Sequence, residues 1–192
     1  MTTTTRSIFT DEDRTRVRAF FDKYLEDSTA FKIPTRREDR ELGIPSRIRV
    51  IEDDAGDIVA ALFASGDPFD VVAWRQRGQF DVADVVANQM LMIHEVAVHP
   101  AARRQGFGEK LVKLAVDDAT ASNASIVTLV YDDRTPGLAS FYTQLGFRSF
   151  PRGEMLELEF ASLPGLTIGF PQDEATFRWA TRVISRERVR GA

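Results

Sequence analysis

The most informative segment of the sequence is Val96-Ala97-Val98-His99-Pro100-Ala101-Ala102-Arg103-Arg104-Gln105-Gly106-Phe107-Gly108. It continues a nearly unbroken apolar run over Met90–Val98, and a short run of this kind is typical of a buried strand. Pro100 ends the strand, and apolar residues then recur at helical spacing, at Leu111, Leu114 and Ala115. The segment therefore predicts a strand, a glycine-containing turn and a helix.

The turn has features that favour binding of an anion. A helix that begins at glycines leaves backbone N–H groups unpaired, lets a ligand approach closely and carries a partial positive charge. Arg103 and Arg104 flank the turn and add charged donors. The spacing does not match the P-loop, and Leu111 stands where the dinucleotide fingerprint requires its third glycine. Taken alone, Arg103-x-x-Gly106-x-Gly108 fits a solvated turn about as well as an anion site.

The sequence upstream predicts a helix followed by a hairpin. The helix begins near Thr10, because Thr10 and Asp13 resemble a capping box and large apolar residues follow at helical spacing. The charged stretch Lys32–Pro45 predicts a short helix in a connection. Strands are predicted over 47–51 and 58–63, joined by an Asp- and Gly-rich turn. For residues 67–89 we expect a strand at Val71–Trp74 and a short helix at Val82–Ala87.

The sequence downstream alternates strands and helices. Ile126–Tyr131 predicts a buried strand, and Thr135 with Pro136 predicts the start of a helix that stops at Gly146. A late strand is predicted over Glu154–Phe160. A final helix is predicted over Asp173–Arg186, because acidic residues stand at its start and arginines at its end.

Composition excludes several classes of protein. The 192 residues contain 25 basic and 29 acidic side chains, two histidines and no cysteine. This length predicts one domain. The absence of cysteine excludes disulfide scaffolds, iron–sulfur clusters and thiol catalysis. Two histidines without cysteine are a poor fit to a structural zinc site. A net charge of -4 argues against a general nucleic-acid binder. Because we find neither a signal peptide nor an apolar run of about 18–20 residues, we expect a cytoplasmic protein without a membrane partner. From the charge and from the counts of histidine and cysteine, we expect no nucleic-acid partner and no metal.

A second block completes a recognisable pattern. It reads Phe141-Tyr142-Thr143-Gln144-Leu145-Gly146-Phe147 and follows the first block with a strand between them. Together the two blocks resemble the GCN5-related N-acetyltransferase (GNAT) superfamily, and the resemblance covers about residues 47–150. It implies an α/β fold with a mixed, mainly antiparallel sheet flanked by helices. Acetyl-CoA would bind in a gap between the fourth and fifth strands, here 90–98 and 126–131.

The resemblance also assigns roles to residues. It implies a single domain of residues 1–192, in which a helical region over about 10–45 forms part of the acceptor site and a strand and helix over about 154–188 complete the domain. It also implies that Tyr142 is the general acid. The spacing of Tyr142 with Leu138 and Leu145 is equally that of a core aromatic residue. The family often has Asn where Thr135 stands, and its segment matching 67–89 is usually shorter. The residues implied to bind acetyl-CoA are Val96, Ala97, Val98, Arg103, Arg104, Gln105, Gly106, Phe107, Gly108 and Thr135.

The general base stays open between two neighbours on the fourth strand. Glu95 and His94 should face opposite sides locally, because side chains alternate along a strand. His94 needs no large change in its pKa to act near neutrality, whereas the pKa of Glu95 would have to rise or a water would have to relay the proton. His94 also fits a hydrogen-bonded core histidine, Glu95 a partly solvated strand residue, and many family members use waters instead.

The resemblance implies direct transfer of an acetyl group from acetyl-CoA to a primary amine of a small molecule or a protein. No cysteine is present to carry a covalent intermediate. One alternative is a non-catalytic acyl-CoA-binding sensor or regulatory module, and another is a nucleotide-binding domain unrelated to coenzyme A. Family members are often dimers, so a homodimer is one expectation for the assembly.

Overall fold

The computed structural model describes residues 2–25, 33–151, 156–160, 163–168, 177–184 and 189–190. The strands in this part of the chain are β1 (Thr4–Ser7), β2 (Arg47–Glu52), β3 (Ile58–Ser65), β4 (Met90–Val98), β5 (Ile126–Asp132), β6 (Arg148–Ser149), β7 (Leu156–Phe160), β8 (Leu163–Ile168), β9 (Phe177–Val183) and β10 (Val189–Arg190). The α-helices are α1 (Asp11–Tyr24), α2 (Arg36–Leu42), α3 (Pro68–Gln76), α4 (Phe80–Gln89), α5 (Phe107–Ala121) and α6 (Leu138–Gln144).

Seven strands form the main sheet in the order β1-β2-β3-β4-β5-β9-β6. Every neighbouring pair is antiparallel except β4 and β5, which are parallel and are connected through α5. A second sheet has the order β10-β7-β8. The predicted mixed, mainly antiparallel sheet flanked by helices is confirmed.

Helices cover both faces of the main sheet because successive side chains of β3 point to opposite sides. Leu62 and Ala64 pack in one core cluster with Leu111 of α5, together with Tyr142 and Leu145 from the α6 region. Ala61 and Phe63 pack in another cluster with Val17 and Phe21 of α1. A third cluster joins α3 and α4 to Met90 and Met92 of β4.

Local signals placed the first elements correctly. Thr10 caps α1 by accepting a hydrogen bond from the backbone N–H of Asp13 (3.1 Å), as expected. The expected helix between Lys32 and Pro45 is α2, which begins with a full capping box between Thr35 and Glu38. The predicted hairpin is β2 and β3.

The expected strand at Val71–Trp74 is wrong, because these residues lie in α3. Asp67 caps that helix by accepting hydrogen bonds from the N–H groups of Phe69 (2.8 Å) and Asp70 (3.2 Å), and Pro68 occupies its first turn. The expected short helix at Val82–Ala87 is confirmed as part of the longer α4. In the described part of the chain no helix is long and apolar enough to cross a membrane.

Two other expectations need correction. Residues 177–183 of the predicted last helix are strand β9, which pairs with β5 over its whole length and covers an edge that would otherwise expose unpaired backbone groups. Ile184, the next residue of that prediction, is a bend, and 173–176 and 185–186 lie outside the described residues. Residues 154–155 of the predicted late strand also lie outside them, and the remainder of that strand is β7. The helix predicted from Thr135 begins later, at Leu138, because Asp132 accepts hydrogen bonds from the backbone N–H groups of Arg134 and Thr135 and so forms a turn.

Candidate functional site

The fourth and fifth strands separate partway along their length. Their pairing runs from Met90 opposite Ile126 to Ile93 opposite Leu129 and then stops. The remaining residues of β4 stay paired to β3, since Val98 is still opposite Ala60. A gap therefore opens between β4 and β5 beyond Ile93, at the position expected from the sequence.

Two backbone N–H groups of β4 face this gap. The N–H of His99 donates to the carbonyl of Val59 at the end of β3 (2.8 Å), which sets the alternation along the strand. The N–H of Ala97 consequently points toward β3, and those of Val96 and Val98 point to the opposite edge, into the gap. The geometry thus offers two fixed donors where a polarisable carbonyl oxygen can lie.

The turn at residues 103–106 leads into α5 beside the end of β4. Arg103 Nε donates to the carbonyl of Val98 (3.3 Å), and Gln105 Nε2 donates to that of Ala101 (3.3 Å). Arg104 and Gly106 both have positive φ, 62° and 82°. The first helical hydrogen bond of α5 is donated by Lys110 to Gly106 (2.9 Å), so the N–H groups of residues 107–109 donate to no acceptor among the described residues.

The start of α5 packs against both β4 and α6. A Cβ atom added at Gly108 would lie 3.7 Å from Val98 and 3.8 Å from Phe141. The exposed N–H groups of α5, the gap-facing end of β4 and the aromatic face of α6 therefore meet at one place. The structure brings together the predicted residues 96–98 and 103–108, whereas Thr135 lies in the turn after β5.

Tyr142 lies next to Phe141 in a cluster of aromatic rings. Its ring centroid is 5.0 Å from that of Phe141, 5.6 Å from that of Tyr131 and 5.9 Å from that of Phe147. The side chain is buried, and burial, with a smaller contribution from Tyr131, raises the pKa of its hydroxyl to about 12. The phenol therefore stays protonated at neutral pH.

A β-bulge at His94 overturns the expected orientation of its side chain relative to Glu95. Phe63 is opposite Glu95 and Ala64 is opposite Ile93, so His94 is the extra residue. The ring of His94 stacks on Phe63 (4.9 Å between centroids), and Glu95, paired with Phe63, is on the same face. Both side chains consequently point toward the face covered by α1.

His94 and Glu95 differ sharply in proton affinity. His94 Nε2 is 2.8 Å from the hydroxyl of Ser65, which itself donates to the carbonyl of Gly66 (2.7 Å). Burial lowers the pKa of His94 to about 3. Burial and the nearby carboxylate of Asp22 raise the pKa of Glu95 to about 8. Glu95 therefore exchanges a proton near neutral pH, whereas His94 stays neutral.

Ser65 and Asp22 are neighbours of the two candidate bases that were not predicted from the sequence. Ser65 ends β3 and reaches His94 only through strand pairing, and Asp22 lies on α1, far from Glu95 in sequence. No local pattern marks either residue. Among the described residues, no three or more acidic or histidine side chains converge as a metal site.

Comparison with known proteins identifies similar proteins at the level of family and fold. A family model described as "Acetyltransferase (GNAT) family" matches residues 6–147. No curated protein sequence matches the chain.

Solved structures share the fold at low sequence identity. A GNAT-family acetyltransferase of Staphylococcus aureus Mu50 has a TM-score of 0.59 and 16% identity, over 96% of this chain and 100% of that one. A GNAT-family N-acetyltransferase of Escherichia coli, solved in complex with CoA, has a TM-score of 0.59 and 19% identity, over 96% and 83%. A phosphinothricin acetyltransferase of Sinorhizobium meliloti, solved with AcCoA, has a TM-score of 0.57 and 18% identity, over 95% and 89%.

Proposed function

Because this chain belongs to the acetyltransferase (GNAT) family, we propose that it is an N-acetyltransferase that moves an acetyl group from acetyl-CoA directly to a primary amine. The observation that carries this proposal is the open end of β4, whose gap-facing N–H groups at Val96 and Val98 lie beside the exposed start of α5. On this proposal the chain acts as one domain in the cytoplasm, without a metal ion, on a small-molecule or protein amine.

The turn before α5 supports binding of the pyrophosphate of acetyl-CoA. The N–H groups of residues 107–109 point out of the helix, and Arg103 and Arg104 stand beside them. A helix of this length presents a positive end to an anion. Two structural neighbours were solved with CoA or AcCoA, which agrees with this assignment.

The gap supports the acyl-transfer step itself. The amine nitrogen attacks the thioester carbonyl carbon, so a C–N bond forms, the C–S bond breaks and coenzyme A leaves as a thiolate. Negative charge gathers on the carbonyl oxygen, and the N–H groups of Val96 and Val98 would stabilise it. Removing one such donor typically costs about 10²–10³ in rate.

Glu95 is the better candidate for the base that accepts the proton of the amine. An alkylammonium is not a nucleophile, so a proton must leave before or during attack. With a pKa of about 8 the carboxylate of Glu95 can take that proton near neutral pH, whereas a histidine with a pKa of about 3 is a weak base. His94 then contributes by packing on Phe63 beside Glu95.

Tyr142 is our candidate for the acid that protonates the thiolate. Its phenol stays protonated at neutral pH, and its neighbour Phe141 adjoins Gly108 at the start of α5. Its close packing among three aromatic rings favours a second candidate function, an acyl-CoA-binding sensor in which Tyr142 only supports the core.

The first test is the thermal stability of the protein with acetyl-CoA, coenzyme A, ADP or NAD. A ligand at about 100 times its Kd adds about 2.7 kcal/mol. For a chain of this size that is a rise of about 5–11 °C in Tm. A rise with acetyl-CoA well above that with ADP supports acetyl-CoA binding, an equal rise with ADP supports a nucleotide-binding domain, and no rise with acetyl-CoA refutes both the transferase and the sensor.

The second test is turnover with a panel of amines, measured as release of free thiol. Tyr142→Phe should retain acetyl-CoA binding and lose about 10²–10⁴ in kcat if the hydroxyl is the acid. Tyr131→Phe is the matched control, because it removes a hydroxyl from the same cluster, one that donates to Ser149 (3.0 Å). Binding without turnover across the panel would favour the sensor.

A further inference from the structure

A second concentration of positive charge lies away from the gap, between α1, α2 and the start of β2. A cavity of about 400 Å³ opens there, and Arg14, Arg36, Arg40, Asp39 and Ser46 line it. It is on the face of the sheet covered by α1, opposite the face covered by α5. These residues lie in or beside the helical region of about residues 10–45 that the family resemblance implies for the acceptor site, but no step of the proposed acetyl transfer is assigned to them.

Arg14 forms the fixed base of this cavity. Its side chain is 7% exposed, and its two terminal nitrogens bind the carboxylate of Asp39 (2.7 Å) and the carbonyl of Pro34 (2.6 Å). Its Nε is buried and has no hydrogen-bond partner in the part of the chain that the structure describes. Arg14 is thus held in place by Asp39 and Pro34, and its shielded Nε is closed to a ligand in the cavity.

Asp39 cannot neutralise the rest of the cavity. Besides Arg14, it accepts hydrogen bonds from the hydroxyl of Ser46 (2.7 Å) and from the N–H of Ser46 (3.4 Å). The other acidic residues of α2 are also engaged: Glu38 in the capping box, and Glu41 with Arg37 (2.7 Å). The carboxylate of Asp11 binds the backbone N–H of Arg36 (2.8 Å).

No described residue therefore compensates the charges of Arg36 and Arg40. They stand four residues apart on one face of α2, a spacing at which like charges repel. Within the described part of the chain neither guanidinium has a hydrogen bond or an ion pair. Among the described residues that line the cavity, three arginines and one aspartate give a net charge of +2.

We propose that this cavity is a binding site for a phosphate monoester group of a small molecule. A phosphate monoester carries a charge of about -1.5 to -2 at pH 7, which matches the uncompensated charge, and the planar forks of Arg36 and Arg40 suit its oxygens. A single carboxylate would leave one positive charge unbalanced. The proposal goes beyond acetyl transfer and holds whether or not the chain is a transferase.

This site is separate from the turn proposed for acetyl-CoA. The cavity residue Ser46 directly precedes Arg47, the first residue of β2. Arg47 is opposite Ala64 of β3, and Ala64 is opposite Ile93 of β4, so the cavity lies level with Ile93. Val98 lies five residues farther along β4, which is about 16 Å at the rise of a strand. One phosphate group cannot contact both places.

The test is a calorimetric titration with inorganic phosphate, with ionic strength held constant by NaCl and saturating coenzyme A present to occupy the other anion site. Wild-type protein should bind phosphate saturably, with a Kd of about 1 mM or below, and should bind acetate much more weakly. Arg40→Gln should weaken phosphate binding about tenfold, and Arg36→Gln with Arg40→Gln should weaken it further. Arg37→Gln is the matched control, because it removes the same charge from the same helix outside the cavity.

Three results would overturn the proposal. In the first, wild-type protein does not bind phosphate saturably. In the second, Arg40→Gln and Arg37→Gln lose equal affinity for phosphate. In the third, acetate binds as tightly as phosphate. Glycerol phosphate in place of inorganic phosphate then separates a monoester ligand from free phosphate, and weaker binding of the ester would contradict the ligand class. Arg14 is left unchanged throughout, because it also holds Asp39 and Pro34.

Discussion

Replacing Glu95 with glutamine is expected to stabilise the protein at alkaline pH while slowing acetyl transfer. The native carboxyl group, buried on β4 near Asp22, has a pKa of about 8, against 4.5 for an ordinary glutamate. Native Glu95 therefore keeps its proton up to about pH 8, whereas in the unfolded chain it releases the proton above about pH 4.5. Since the native state binds more protons in this window, the free energy of unfolding falls as pH rises from 4.5 to 8.

The size of the effect follows from the difference in pKa. A rise from 4.5 to about 8 corresponds to about 5 kcal/mol for a site fully isolated from water. Because Glu95 keeps a small exposed fraction (8%) and water screens part of the penalty, we expect about 1–3 kcal/mol. Glutamine keeps the shape and cannot ionise, so Glu95→Gln should raise Tm at pH 9 by about 2–12 °C. Below pH 4.5 the glutamate is protonated in both states and the penalty disappears.

The assay is Tm against pH, from 5 to 9, for the wild type and for Glu95→Gln. Glu109→Gln is the matched control, because Glu109 is an exposed partner of Lys113 on the surface of α5. In parallel, kcat of the wild type should rise with pH and level off above about 8, whereas Glu95→Gln should lose this dependence and about 10²–10⁴ in kcat.

A higher Tm at pH 9 together with a lower kcat in Glu95→Gln would identify Glu95 as a buried base. A change in Tm alone would identify it as a residue of the core. If Glu95→Gln is less stable than the wild type at pH 9, or if both show the same dependence of Tm on pH, the argument from burial is wrong. If kcat and its pH profile are unchanged while stability rises as expected, a water or another group removes the proton.

Two pairs of glycine substitutions test the packing and the backbone strain around the site. Gly66→Ala should lower Tm by about 2–10 °C, because the added Cβ would lie 2.9 Å from the backbone of Ala87 in α4, whereas Gly108→Ala meets only side chains at 3.7–3.8 Å and should not lower it. Gly106→Ala should lower the free energy of unfolding by about 1–2 kcal/mol, because the φ of Gly106 is +82°, and should also weaken acetyl-CoA binding in calorimetry. Gly56→Ala is the control: its φ is +83° and no atom lies within 4 Å of the added Cβ, so it should carry the same strain and leave acetyl-CoA binding unchanged.

The local structure of the candidate site could largely be predicted because it is built from contiguous sequence. Residues 96–108 contain the end of β4, the turn and the start of α5, so their spacing alone indicates a strand, an exposed turn and a helix. The second block predicted a helix containing Tyr142, which is confirmed as α6, although the start of α6 was misplaced because the turn formed by Asp132 was overlooked.

The strand over 177–183 could not be predicted from local signals, because acidic residues before it and arginines around its end match the pattern of a helix dipole. Pairing with β5 overrides that preference. The expected strand at Val71–Trp74 failed for a different reason: Asp67 and Pro68 are a helix start that the sequence does contain.

The sequence by itself determined the family resemblance, and with it the fold class, and also the place of the turn before α5, because these depend on motifs whose residues are close together in the chain. Only the tertiary structure decided how the neighbours His94 and Glu95 are oriented and charged. The bulge opposite Phe63 turns both toward α1, and their pKa values then separate because His94 is buried against Phe63 and Ser65 whereas Glu95 is buried near Asp22. Proton affinity depends on burial and on charges brought in from other elements, and these exist only once the chain has folded.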